Sequence, residues 1–274
     1  MSRLCQESIM KLNGKKMLDD EIMNFYIDVL KRRYPSTRIA IFSTFFFEKI
    51  RRAFLDNVDK EKEYLSCERW LKKAGVDFTQ LEFIFVPVNF SRHWTLVLFC
   101  LQSTRIAQTH FRPSHLRETL DAMNSEFLRL SVLPKETYYD TVYDLVNRAK
   151  EVRNSLEHRE SNPQLLFEIS APCAFTLDSL PITHTIPQDA VLLASDYIVW
   201  QYKRFGINYN RSDFLINEVV TPKQRSSWEC GVFVLFFIRI FVQFHPKTLP
   251  EYIALLQKFQ ASEEKELVKQ AAGL

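Results

Sequence analysis

Two short segments of the sequence hold the residue types that thiol-dependent acyl transfer requires. One is a His93-Trp94 pair set between apolar runs; the other is Gln224, six residues ahead of Cys230-Gly231, where a strongly apolar stretch opens. A cysteine becomes a working nucleophile when a base takes its proton and a donor meets the oxyanion that forms, and an imidazole and an amide suit those tasks. Cysteine-dependent acyl transfer is therefore the leading chemistry.

Each residue also has a plainer reading. A cysteine in an apolar setting is ordinarily core, but Cys230 falls at the expected start of a buried helix, where unpaired N–H groups and the positive dipole end stabilise a thiolate. Gly231 permits close backbone approach, and the Gln224 amide can donate to an oxyanion. His93 alone would be read as structural; as a base it would take the Cys230 proton and return it to the leaving amine. His110, His115, His158, His184 and His245 lie in segments read as loop, insertion or helix terminus and are weaker candidates. A third group must fix the imidazole tautomer. Asp178, in CAFTLDSL, ends an apolar strand and can point into a cleft beside the His93 strand; its alternative reading is a strand-end turn residue.

The elements that must position these groups follow from periodicity. Leu18 to Arg33 reads as an amphipathic helix with Asp19 and Asp20 in its first turn, and Thr44 to Leu55 and Lys60 to Ala74 as two more. From Glu82 the runs EFIFVPVNF and HWTLVLFC read as adjacent strands of one buried sheet, with His93 at the mouth of the second. Cys173 to Asp178 and Phe214 to Val220 are further strands. Ala190 to Phe205 reads as a helix ending at Gly206, Cys230 to Phe244 as a helix buried all round, and Pro250 to about Gln270 as one amphipathic segment. The predicted class is α+β: a central, mostly antiparallel sheet flanked by helices, in one domain over residues 1–274. A helical insertion at about 103–168 interrupts it, either a surface hairpin or a clamp for substrate or partner.

Composition excludes several alternatives. With 274 residues, 46% of them hydrophobic and 23 of them Phe, the chain can bury a large core. Its 36 basic and 33 acidic residues are interspersed, so neither nucleic acid nor an anionic membrane is implied, and the clusters Lys31-Arg32-Arg33 and Arg51-Arg52 read as solvated helix ends. Five widely spaced cysteines without CxxC or Cys/His ligand spacing disfavour both a disulfide framework and a metal site, and fit a reducing compartment. The start lacks a secretory h-region, and no run approaches the roughly 20 apolar residues that span a bilayer.

Taken in order, LDDEIMNFY, FVPVNFSRHWTLVLF, LDSL and QRSSWECGVFV resemble the SUMO-specific (Ulp/SENP) cysteine protease family over about Met17 to Phe244, with the insertion as the main gap. The resemblance implies a papain-like fold and cleavage after the C-terminal Gly-Gly of SUMO, in precursors and on substrate lysines. It also implies Cys230 as nucleophile, His93 as base, Asp178 as its orienting partner and Gln224 as oxyanion donor. Trp94 matches a tryptophan lining the channel for the Gly-Gly tail, and a narrow channel selects diglycine by width. Asp20 matches an acidic position facing a basic residue of the modifier. Three departures stand out. Met17 occupies the place of an aromatic channel wall, Glu229 that of an Asp or Asn before the nucleophile, and the insertion resembles a subgroup with split catalytic regions.

The expected activity is thus a thiol isopeptidase and endopeptidase on a ubiquitin-like modifier, SUMO foremost, working as a monomer without metal or organic cofactor. Ubiquitin or the neddylation modifier as substrate, acetyl transfer, and a non-catalytic modifier-binding module remain as alternatives. The expected setting is nuclear or cytosolic; a bacterial protein delivered into host cells would read alike.

Overall fold

The computed structural model describes residues 4–55, 59–90, 92–101, 173–180, 186–209, 214–219, 221–247 and 249–274. The insertion expected at about 103–168 lies outside the described residues, as do His110, His115, His158 and His184.

The chain begins with α1 (Gln6–Asn13) and α2 (Asp20–Arg33), followed by β1 (Ile39–Ile41), α3 (Thr44–Leu55) and α4 (Lys60–Lys73). A short 3-10 turn, Phe78–Gln80, leads into β2 (Phe83–Phe90) and β3 (His93–Cys100). After β4 (Cys173–Leu177) come α5 (Ile186–Lys203), β5 (Leu215–Glu218), α6 (Cys230–Phe244), α7 (Leu249–Lys258) and α8 (Ser262–Ala272). The strands form one sheet in the order β1-β2-β3-β4-β5. Its centre is antiparallel and holds the longest ladders, from Phe83↔Cys100 to Phe90↔His93 and from Leu96↔Leu177 to Cys100↔Cys173. Both outer strands run parallel to their neighbours, so the sheet expected to be mostly antiparallel is mixed at its edges. Pro87 has no N–H to give a ladder, and it lies beyond Phe85, where β1 has already stopped.

Alternation along the strands divides the core in two. Phe85, Trp94, Leu96, Leu98, Phe175 and Leu177 face one cluster, built mainly with α2, α6, α7 and α8. Ile84, Val86, Val88, Val97, Phe99 and Ala174 face the other, built with α3, α4 and α5. The first cluster explains α6: every residue from Cys230 to Val242 is buried, because sheet and helices enclose it on all sides. Each fully buried Val, Leu, Ile or Phe there contributes about 1.5–3 kcal/mol relative to exposure. The charged residue in that buried stretch of α6, Arg239, meets the equally buried Glu264 of α8 at 2.6 Å and Gln243 at 2.9 Å.

Two expectations shift at their ends. Asp19 lies outside α2 as its N-cap, accepting from Ile22 N–H at 3.0 Å, and only Asp20 belongs to the first turn. The segment from Pro250 to Gln270 is two helices separated at Phe259–Ala261. Gly206, read as a helix terminator, has φ of 74° and donates its N–H to Lys203 at 3.0 Å. No helix among the described residues is long and apolar enough to cross a membrane.

Candidate active site

His93 enters β3 directly from the turn after β2. Phe90 and His93 are register partners, and Arg92 just before the histidine takes a left-handed conformation with φ of 66°. A short turn closing a long ladder holds the imidazole at the end of the sheet. Asp178 follows the last residue of β4, and its carboxylate meets the ring: His93 Nε2 lies 2.8 Å from Oδ1 and 3.0 Å from Oδ2. That carboxylate is itself oriented, since Leu180 N–H donates to Oδ1 at 2.8 Å. The Asp178 carbonyl accepts from the Thr221 hydroxyl and, at 3.0 Å, from Lys223 Nζ.

With Nε2 turned to the carboxylate, Nδ1 is the ring nitrogen left for a sulfur, and Cys230 is near enough for its side chain to favour a proton on the ring. Both are nearly enclosed, at 9% and 1% exposure. Burial of the ring opposes a charge on it, yet the hydrogen bonds to Asp178 and Cys230, reinforced by their charges, outweigh burial and push the His93 pKa up to about 9.

Cys230 is the first residue of α6. Glu229 stands at the N-cap position but makes no side-chain cap to the helix. Instead its Oε2 accepts from the N–H groups of Arg225 and Ser226, each at 3.0 Å, closing the preceding loop on itself. The N–H groups of the first turn are thus left to a negative charge arriving beside the sulfur. Gly231 sits in a tight space: a Cβ there would lie 3.1 Å from Leu18 Cβ, 3.2 Å from Trp94 Cδ1 and 3.3 Å from Met23 Sδ.

Gln224 is tied to the strand that carries Asp178. Its N–H donates to the Ser179 carbonyl at 2.9 Å, and the Ser179 hydroxyl donates to Oε1 at 2.5 Å. Nε2 donates to the Ser226 carbonyl at 2.9 Å, which uses one of the two amide hydrogens. Trp94 is 1% exposed, and its indole N–H donates to the Leu18 carbonyl at 2.9 Å. Met17, next to Leu18, is half-buried against the same core cluster. Of the two residues expected to wall a channel, Trp94 is thus buried and Met17 partly exposed. Asp20 lies at the start of α2, partly exposed.

The structure thus brings His93, Asp178 and Cys230 together, hangs Gln224 from Ser179, the residue after Asp178, and packs Trp94 against the residue after the cysteine. Sequence reasoning missed Ser179, the Leu18 carbonyl, Thr221, Lys223 and the loop-closing use of Glu229. Only the adjacency of Ser179 to Asp178 was a signal, and it does not reveal a bond across 45 positions. Among the described residues no group of three or more His, Cys, Asp or Glu could hold a metal ion.

A cysteine-headed helix buried against a mixed sheet, with imidazole and carboxylate at the sheet's end, is the architecture of the papain-like cysteine peptidases. Solved structures agree on the fold. The chain superposes on the SUMO protease Ulp1 with its catalytic cysteine oxidised to a sulfenic acid at a TM-score of 0.54, with 15% identity, covering 99% of this chain and 88% of that one. For the C-terminal Ulp1 protease domain in complex with Smt3, the yeast ortholog of SUMO, the TM-score is 0.51, with 14% identity and coverage of 97% and 82%. Residues 16–269 match the Ulp1 protease family, C-terminal catalytic domain, and the chain belongs to that family. Among curated relatives, ubiquitin-like-specific protease 1D of Arabidopsis thaliana is 22% identical over 253 residues, covering 90% of this chain and 34% of its own length. Sentrin-specific protease 7 of Mus musculus is 26% identical over 252 residues, covering 86% and 23%. The chain thus spans about a third or less of the length of these two relatives.

Proposed function

We propose that this chain is a thiol isopeptidase and endopeptidase that cleaves after the C-terminal Gly-Gly of a ubiquitin-like modifier, with SUMO as the modifier. The observation that carries the proposal is the Asp178 carboxylate bonded to His93, with that imidazole beside Cys230 at the head of a buried helix whose N-cap side chain is turned away.

In this reading the Cys230 thiolate, beside the protonated His93, attacks the carbonyl carbon of the last glycine and forms the C–S bond. The oxyanion of the tetrahedral intermediate takes hydrogen bonds from Gln224 Nε2 and from backbone N–H groups at the head of α6. As the intermediate collapses, the C–N bond to the lysine amine or peptide nitrogen breaks, and His93 gives the leaving nitrogen its proton. The now neutral imidazole, held in its tautomer by Asp178, takes a proton from water. The hydroxide equivalent attacks the thioester, and thiolate and imidazolium are restored as the carboxylate leaves.

Trp94 and Met17 form the walls of the slot for the glycine tail, and Asp20 meets a basic residue on the modifier's body. Substrate choice rests on similarity to proteases named for SUMO, including one solved with Smt3 bound. Thiolate chemistry and five unpaired cysteines support a reducing compartment, nuclear or cytosolic.

C-terminally electrophilic forms of SUMO, ubiquitin and the neddylation modifier, offered side by side, test the reading. The SUMO probe should form an adduct fastest, and Cys230→Ala should form none. Normal cleavage of a SUMO fusion by Cys230→Ala would overturn the mechanism; faster labelling by either other probe would overturn the substrate.

A further inference from the structure

Lys265 of α8 is 251 positions from Gly14, yet its Nζ donates to the Gly14 carbonyl. The same ammonium stands 4.5 Å above the Trp228 ring and feels the charge of Glu229. Each of these contacts ends on a segment that frames Cys230. Five residues after Gly14, Asp19 is fixed by the Ser8 hydroxyl at 2.8 Å and Lys11 Nζ at 3.1 Å. Between those two anchors lie Met17 and Leu18, and Leu18 braces the Trp94 indole and abuts Gly231. On the other side, Trp228 and Glu229 belong to the loop that Glu229 closes, immediately before Cys230.

The base of this bridge is rigid. Glu264, next to Lys265, is fully buried and paired with Arg239 of α6 at 2.6 Å. A cation mounted on so fixed a turn transmits its position to whatever it holds.

We infer that Lys265 is a positioning residue for the Cys230 reaction: its ammonium ties the segment before α2 to the loop before α6, and so sets how the Met17 wall of the glycine-tail slot lies against the head of α6. The inference rests on the proposed function, because only a substrate that threads the slot feels its width. Lys265→Met keeps an apolar stem over Trp228 but removes the donor to Gly14 and the charge; Lys265→Arg keeps donor, charge and ring contact.

The test compares three readouts in wild type and both variants: adduct formation with a C-terminally electrophilic SUMO probe, Cys230 alkylation by iodoacetamide, and the urea midpoint. The expected result for Lys265→Met is labelling by the SUMO probe slowed about tenfold, iodoacetamide reaction no slower than wild type, and an unchanged midpoint. Lys265→Arg should restore the probe rate. Wild-type labelling by Lys265→Met, a parallel fall in both reactions, a lowered midpoint that accounts for the loss, or failure of Arg to rescue would each overturn the inference while leaving the proposed function standing. A wild-type protein inert to the probe would overturn both.

Discussion

Gly231→Ala adds one methyl group at the most crowded point of the site, and its consequences can be worked from contacts. The new Cβ would meet Leu18 Cβ at 3.1 Å, Trp94 Cδ1 at 3.2 Å and Met23 Sδ at 3.3 Å, all inside the 3.4–4 Å of ordinary contact. None of the three neighbours can retreat into solvent: Leu18, Trp94 and Met23 are 2%, 1% and 0% exposed, and Trp94 is tied to Leu18 by its indole N–H. Overpacking of a tight core costs about 1–3 kcal/mol, and this site belongs in the upper half of that range because the crowded atoms are held. Replacing Gly by Ala in a helix returns about 1 kcal/mol at most. The net loss is therefore about 1–2 kcal/mol, a factor of roughly 5–30 in the unfolding equilibrium, read as a lowered urea midpoint at unchanged slope. Relief of the clash moves the head of α6, and with it the Cys230 sulfur, by a few tenths of an ångström. Loss of kcat/KM on a SUMO fusion should be on the order of tenfold, since near-attack geometry tolerates little displacement. A Gly231→Ala protein as stable as wild type, with kcat/KM within about twofold, would refute the reasoning.

Two further outcomes concern charge. The folded pKa of His93, about 9, lies above the ~6.5 of an unfolded histidine, so its contribution to stability is complete below about pH 6.5 and is lost as pH rises through 9. The stability difference between wild type and His93→Gln, from urea unfolding across that window, should shrink toward high pH; Asp178→Asn should lower the His93 pKa in an NMR titration, and a ring still titrating at about 9 would refute the assigned cause. Arg239→Met leaves the Glu264 carboxylate buried without its partner and should cost about 3–5 kcal/mol in urea unfolding, with most of it recovered in the double variant with Glu264→Met; a single-variant loss under about 1 kcal/mol would refute the pairing.

Much of the fold was legible because periodicity is a local signal. Thr44–Leu55 and Cys230–Phe244 occur at the bounds read from the sequence, and β2 and β3 within a residue, since long runs of one period leave little choice of element. What escaped is what periodicity does not encode. The short α1 is capped by the sulfur of Cys5, an unusual cap. The three residues of β1 are too few to show alternation, so the parallel edge they form was invisible. Between α7 and α8 no Gly or Pro marks the break at Phe259–Ala261; there Phe259 stacks on Phe244 at 5.0 Å and Ala261 is buried, so tertiary packing ends a pattern that would otherwise continue.

The site divides along the same line. Residue type and chain order pointed to His93, Asp178 and Cys230, and the structure joins them, because each sits at the end of an element whose bounds were readable: the start of β3, the end of β4, the head of α6. Gln224 was legible as a type, but its attachment was not, for it hangs from Ser179 through contacts that no spacing predicts. Trp94 was legible as a type, but the bond of its indole to Leu18 and the closeness of its edge to Gly231 were not. Those contacts join three parts of the chain. The β3 side is fixed by a ladder from Phe83↔Cys100 to Phe90↔His93 and the α6 side by a fully enclosed helix. The segment from Gly14 to Leu18 belongs to neither helix nor strand, so the backbone carbonyl that receives the Trp94 indole carries no periodic signal in the sequence.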